Sequence, residues 1–217
     1  MTTRHHYHEK LEQLKIEVLK MGGMIDESIS RAMHALVKNN KEVGGKVVED
    51  ENKINHMEYE IEDRCVFLLA TEQPVAGELR FIISTLKAVR DLERCGDYAC
   101  HIANTALQLS ENTTVTIHED LPKMAETCRE MLRQVMQAYT DEDEELAAKV
   151  RTQDNIVDSL YLHSFKEMLS DMRQDPDHVR QVNSLLFVSK CLERLADHII
   201  NICEEVEYMC TGSRRET

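Results

Sequence analysis

Two stretches a hundred residues apart decide how this chain reads: Leu92–Asn104, LERCGDYACHIAN, and Leu192–Glu204, LERLADHIINICE. Each opens with Leu-Glu-Arg and sets an acid four residues after its glutamate, Glu93 with Asp97 and Glu193 with Asp197. On a helix, positions i and i+4 share a face, and like charges there destabilise it by about 0.2–0.5 kcal/mol. A lysine in either place would have stabilised it instead. A pattern that works against its own helix, and occurs twice, asks what positive charge it is kept for.

The surroundings of both stretches are helical in pattern. Apolar residues recur in steps of three and four at Leu11, Leu14, Val18, Met21, Ile25, Ile29, Ala32 and Leu36, the stripe of an amphipathic helix. Breakers are few, with 7 Gly and 3 Pro in 217 residues, and no segment of any length alternates with period two. The expected fold is all-α, with six long helices at about 7–37, 41–72, 74–110, 121–139, 142–172 and 177–210. Pro74 suits the first turn of the third. The acidic run Asp141–Glu145 suits the start of the fifth, and the polar stretch SENTTVTIHEDLP, residues 110–122, reads as the linker. Gly22 and Gly23 interrupt the first helix, where a neighbouring helix is expected to pack close.

Superposing the two Leu-Glu-Arg positions brings Leu86 onto Leu186. With a register slip of three, Glu51 and Asn55 fall beside Asp154 and Asp158. The chain thus reads as a tandem duplication of a three-helix unit, residues 1–112 and 113–217.

Bulk charge narrows the function. A net charge of −14 argues against nucleic acid, whose phosphates need a basic surface, and against an anionic membrane surface. No apolar run approaches the ~18 residues of a membrane span, and the N-terminus does not resemble a secretion signal. Seven cysteines without a Cys-x-x-Cys suit a reducing, cytoplasmic setting, where free thiols pack as small hydrophobes.

Two readings of the acid pairs stand side by side. In one, Arg90, Arg94, Lys190 and Arg194 neutralise them as ordinary ion pairs. In the other, each pair supplies two oxygen donors to a metal cluster, Glu51 and Asn55 facing Glu93 and Asp97, and Asp154 and Asp158 facing Glu193 and Asp197. Oxygen-rich sets of this kind suit Mg, Mn, Ca or iron. A ferritin-like di-iron oxidase is excluded, because none of the 10 histidines has a glutamate three residues before it. No glycine-rich phosphate loop, Gly-x-Ser-x-Gly or His-Glu-x-x-His occurs.

Three stretches in order resemble the PhoU family of phosphate-transport accessory and phosphate-signalling proteins. They are Leu11–Leu36 (LEQLKIEVLKMGGMIDESISRAMHAL), Leu68–Ala103 (LLATEQPVAGELRFIISTLKAVRDLERCGDYACHIA) and Cys191–Gly212 (CLERLADHIINICEEVEYMCTG). The resemblance implies two three-helix bundles related by a pseudo-twofold, and multinuclear metal clusters of iron, manganese, magnesium, zinc or calcium. Carried over, the ligands are Glu93/Asp97, Asp154/Asp158 and Glu193/Asp197, with Glu51/Asn55 departing from the pattern because Asn55 carries no charge. His101 stands where asparagine is usual and is expected to be a packed histidine. The resemblance also implies a non-enzymatic regulator that restrains a phosphate ABC transporter, through its ATPase subunit, and a sensor histidine kinase when phosphate is plentiful. A homodimer is compatible with it. A carboxylate-bridged metalloenzyme and a metal-free helical scaffold are the alternatives.

Overall fold

The computed structural model describes residues 2–109 and 117–214. Among these residues seven α-helices follow one another: α1 (Thr2–Lys38), α2 (Lys41–Glu72), α3 (Ala76–Gln108), α4 (Asp120–Asp141), α5 (Glu144–Thr152), α6 (Asp154–Gln174) and α7 (Val179–Thr211), with a 3-10 turn at Pro176–His178. There is no strand among the described residues, and no described helix is long and apolar enough to cross a membrane. The expected α1 stripe is the core stripe, with Leu14, Val18, Met21, Ile25 and Ile29 fully buried.

Local chemistry sets the helix ends. Asn39 takes a left-handed φ of 49°, and the Asn40 side chain accepts from Val43 N–H at 3.2 Å, capping α2. Asp143 caps α5 in the same way through Leu146 N–H at 3.0 Å. Pro74 does not enter α3. It lies two residues before Ala76, because a proline disfavours the helical conformation in the residue ahead of it and so ends α2 at Glu72. Pro122, where the expected linker and the expected fourth helix overlap, sits in the first turn of α4, a position that needs no N–H donor. The linker stretch 110–116 lies outside the described residues.

The expected fifth helix is two. Thr152 Oγ bonds Lys149 O at 2.7 Å, and Gln153 N–H bonds Val150 O at 2.9 Å while Ile156 N–H bonds Gln153 O at 2.9 Å. Contacts at a spacing of three replace the helical spacing of four. The chain kinks there, and Asp154 opens a new helix.

Helices α1, α2 and α3 pack together, as do α4, α5/α6 and α7, and α3 and α7 join the two sets along one continuous core. They run antiparallel. The Cys95 thiol meets Leu195 O at 3.7 Å, Asp91 meets His198 at 2.7 Å and Asn201 at 3.0 Å, and Lys87 meets Glu205 at 3.4 Å. Residues 95 and 195, equivalent by the hundred-residue repeat, face each other. Moving down α3 moves up α7, which is what a pseudo-twofold axis between them requires. Helices α1 and α4 are pinned by Arg129, which donates to Asp26 at 2.9 and 3.2 Å.

Close packing explains one of the two α1 glycines. A Cβ on Gly22 would stand 2.9 Å from Met136 Cγ of α4, whereas one on Gly23 would meet nothing within 4 Å. Gly23→Ala should therefore stabilise the protein by about 1 kcal/mol, the helix-interior difference between the two residues. Gly22→Ala should forfeit that gain. Urea unfolding midpoints check this, and equal midpoints for the two variants would contradict the close approach of α1 to α4.

Candidate functional site

The second half presents four carboxylates across the α6–α7 crossing. The kink at Gln153 places Asp154 in the first turn of α6, with Asp158 one turn on, while Glu193 and Asp197 come from α7. Burial pushes Asp154 up to about 6, and the charges of Asp158, Asp197 and Glu193 add to the shift. Asp197 is raised too, by burial and then by Glu193, with Arg194 and Lys190 pulling the other way and Asp158 adding to the rise. The four acids therefore feel one another across two helices.

Their cations are fewer. Lys190 Nζ lies 2.6 Å from Glu193 Oε2, an ion pair not aligned as a hydrogen bond. Arg194 bonds Asp197 at 3.2 Å and stands 3.7 Å from Glu193. Among the described residues no cation stands within 4.0 Å of Asp154 or Asp158. The ion pairs of the first reading form on α7, and among the described residues they leave Asp154 and Asp158 without a cation of their own.

The first half is built alike at the α2–α3 crossing, where Gly96 lets Ile54 approach to 3.2 Å from the place of an added Cβ. Glu93 is raised by burial and by Asp97, and also by Glu51 across the crossing, with Arg94 and Arg90 opposing. Arg94 bonds Asp97 at 3.0 Å and stands 3.7 Å from Glu93. Arg90 makes no ion pair among the described residues. The Cys100 thiol donates to Glu51 Oε2 at 3.2 Å. The Asn55 side-chain oxygen is buried with no hydrogen-bond partner, which is costly unless something positive or a donor reaches it.

One acid was missed in the sequence. Glu58 is pushed up to about 7 by burial, then by Glu93 and Glu62, against Arg90 and Arg94. It stands seven residues after Glu51 and three after Asn55, on the same face of α2, and that spacing was the available signal. It gives this half a fourth carboxyl group, on the helix where Asn55 supplies a neutral amide. His101 is exposed, with its ring 6.0 Å from Tyr98 and 6.1 Å from Phe187. It is a surface side chain, not a packed one.

Among the described residues no three His, Cys, Asp or Glu side chains converge closely enough to hold an ion as they stand. The donor chemistry nonetheless fits a hard cation: oxygens from two helices, surplus negative charge, and an orphaned buried amide oxygen at Asn55. Turning Arg94 and Arg194 aside would free Asp97 and Asp197 to join their neighbours. Neither set lines the cavity of about 850 Å³ between α1 and α2, whose walls include Lys10, Glu17, Arg64 and Phe67.

Comparison with known proteins places this geometry. The family model described as PhoU domain matches residues 18–106 and 121–206. A phosphate-specific transport system accessory protein PhoU homolog of Clostridium acetobutylicum is 35% identical over 213 residues, 98% of this chain and 97% of that protein. Its counterpart in Pseudomonas aeruginosa is 33% identical over 208 residues, 95% of this chain and 86% of that one. The crystal structure of PhoU from Pseudomonas aeruginosa superposes with a TM-score of 0.91 at 33% identity, covering 95% of this chain and 100% of that one. That of the phosphate transport system regulatory protein PhoU from Streptococcus pneumoniae does so at 0.90 and 31%, covering 97% and 100%. With the domain matched once in each half and relatives aligned along nearly the whole length, this chain belongs to the PhoU family.

Proposed function

We propose that this chain is a non-enzymatic accessory protein of phosphate transport that works in the cytoplasm and carries metal at its two helix crossings. In this reading it restrains a phosphate ABC transporter through the ATPase subunit, and holds a sensor histidine kinase inhibited, when phosphate is plentiful. The observation that carries the metal part is the surplus of carboxylates over cations at α6–α7, where Asp154, Glu193 and Asp197 are partly buried and Asp158 is exposed, matched at α2–α3. The accessory role is supported by the relatives that align along nearly the whole chain, which are phosphate-specific transport system accessory proteins.

Each residue has a place in this account. Asp154, Asp158, Glu193 and Asp197 would hold the ions of the second half, and Glu51, Asn55, Glu93 and Asp97 those of the first. Bound cations would supply the missing positive charge and fix α6 to α7 and α2 to α3. Arg94, Lys190 and Arg194 neutralise part of each set in the protein's own structure and define the edge of each. The outward faces of these crossings would then be the surface that partners meet, with or without a homodimer. A carboxylate-bridged metalloenzyme is less well supported, because a separate general base beside a concave pocket is what such chemistry needs, and neither set lines the α1–α2 cavity.

Pull-down of the purified chain against the transporter ATPase subunit and the sensor kinase, with Mn²⁺ or with chelator, tests the role. Metal-dependent capture of either supports it, and capture of neither under both conditions overturns it. The Glu193→Gln/Asp197→Asn pair should lose metal retention, read by elemental analysis, while the metal-free variant melts at the same temperature as the parent or higher. A marked drop in that melting temperature would mean that the pairs with Lys190 and Arg194 were what the acids were for.

Proton linkage gives a second check. Glu58 and Asp154 have folded values of about 7 and about 6, above their ordinary 4.5 and 3.8. Between those limits the folded protein binds more protons than the unfolded chain, so stability rises as pH falls through them. Metal-free protein should therefore unfold at higher urea at about pH 5 than at about pH 8. Glu58→Gln/Asp154→Asn should flatten the difference. A metal-free parent with no pH dependence in that window would contradict the crowding of the acids.

A further inference from the structure

The two halves diverge on the outer side of the α1–α2 pair. In the register that sets Glu51 beside Asp154, the buried Val18, Met21, Ile25 and Ile29 of α1 fall on Leu121, Met124, Cys128 and Leu132 of α4, which are buried too. In that same register the outward stripe Ile16, Lys20 and Gly23 falls on Glu119, Lys123 and Glu126, and Phe67 of α2 falls on Ser170 of α6. The second half is an ordinary solvated face, with Glu119 on Lys123 at 3.1 Å and Glu126 on Arg129 at 2.7 Å. The first half instead leaves Ile16 56% and Phe67 54% exposed. Both line, with Met57, Ile61 and Leu68, the cavity of about 850 Å³ between the two helices. Gly23 continues the stripe. The ion pairs Lys10–Glu72 and Glu17–Arg64 set α1 and α2 antiparallel, so Gly23 stands level with Met57 at one end of the groove. A glycine weakens a helix interior. Gly22 makes room for Met136, whereas Gly23 makes room for nothing in this chain within 4 Å.

Charge says what kind of occupant the groove takes. Lys10 and Glu72, and Arg64 and Glu17, neutralise each other across the helices. Left over are Lys20 on the α1 rim and Asp63 on the α2 rim, neither in an ion pair among the described residues. Glu60, one turn before Asp63, stands 3.4 Å from the His56 ring. One rim is thus basic and the other acidic, above an apolar floor. We infer, independently of any metal at the helix crossings, that this groove docks one amphipathic helix of a partner protein. Its apolar stripe carries acidic residues on one flank, toward Lys20, and basic residues on the other, toward Asp63 and Glu60. Helices dock in such grooves through anchors spaced at i, i+3 or i+4, and i+7. From Lys10 to Gly23 the α1 axis runs about 20 Å, enough for a helix of roughly four turns. Phe67 and Met57 are side chains of the kind enriched where proteins meet, and the bare Gly23 lets an incoming backbone come close. A second copy of the chain offers the same hollow at this place. Two hollows face to face enclose space that a single convex helix fills.

The test titrates the full chain into fluorescein-labelled stapled peptides of about 18 residues, stapled because short helices are marginal alone in water. All carry one leucine stripe. The first has Glu on one flank and Lys on the other, the second Glu on both flanks, and the third Lys on both. Fluorescence anisotropy should show saturable binding of the first, about tenfold tighter than of either other peptide. Ile16→Glu/Phe67→Ser, which gives the groove the residues of the second half, should weaken that binding by about tenfold or more. Far-ultraviolet circular dichroism should stay unchanged, since both side chains are exposed. Asp63→Lys makes both rims basic and should move the preference to the peptide with Glu on both flanks. Gly23→Ala should weaken binding while raising the urea midpoint, opposite signs that a loss of fold cannot mimic. A parent that binds none of the peptides, or an Ile16→Glu/Phe67→Ser variant that binds the first as tightly as the parent, would overturn the inference. Sedimentation of the chain alone reads the other occupant. A parent dimer that Ile16→Glu/Phe67→Ser splits into monomers, with no peptide competing for it, would assign the groove to a second copy and overturn the inference as well.

Discussion

Antiparallel packing of α3 on α7 is the constraint on which the rest of this structure depends. Each long helix has one face committed to the other across the pseudo-twofold at Cys95 and Leu195. The residues flanking those contact points, Glu93 and Asp97 on one helix and Glu193 and Asp197 on the other, must then turn toward the outer helices of their own halves. There α2 and α6 bring further carboxylates to them. The charge crowding follows from the crossing: a face already used for the central contact cannot also move its acids out to water.

The crowding is only partly relieved within the chain. Arginine at the position after each signature glutamate reaches the acid three residues on, at 3.0 Å in the first half and 3.2 Å in the second. These pairs are exposed on the arginine side and are worth little in water. They leave Asp154 and Glu58 held well above the ordinary carboxylate range. Each half thus keeps one acid of raised affinity for its proton, which is what the proposed bound cations would relieve.

Much of this was legible in the sequence, and the exceptions have physical reasons. The α1 stripe, the Asn39-Asn40 stop and the duplication could be read because each rests on spacing or on one residue's backbone preference. The break at Gln153 could not, because Thr152–Asn155 contains neither glycine nor proline, and side chains bonding backbone carbonyls end the helix there. Glu58 does not show in i,i+4 carboxylate pairs, because it completes a face at i,i+7 with a neutral Asn55 between. Arg90 stands at the same spacing from Glu93 as Lys190 from Glu193, yet only Lys190 closes its pair, a choice of rotamer that spacing does not encode. Gly22 and Gly23 look alike in sequence and differ only in whether Met136 is beside them.

Anomalous diffraction from crystals grown with Mn²⁺, recorded at the manganese edge, addresses the central claim most directly. The account predicts density peaks between α6 and α7 within coordination distance of Asp154 and Asp197, with the Arg194 guanidinium turned away. Peaks absent from that crossing, with Arg194 still on Asp197 and Lys190 still on Glu193, would contradict it.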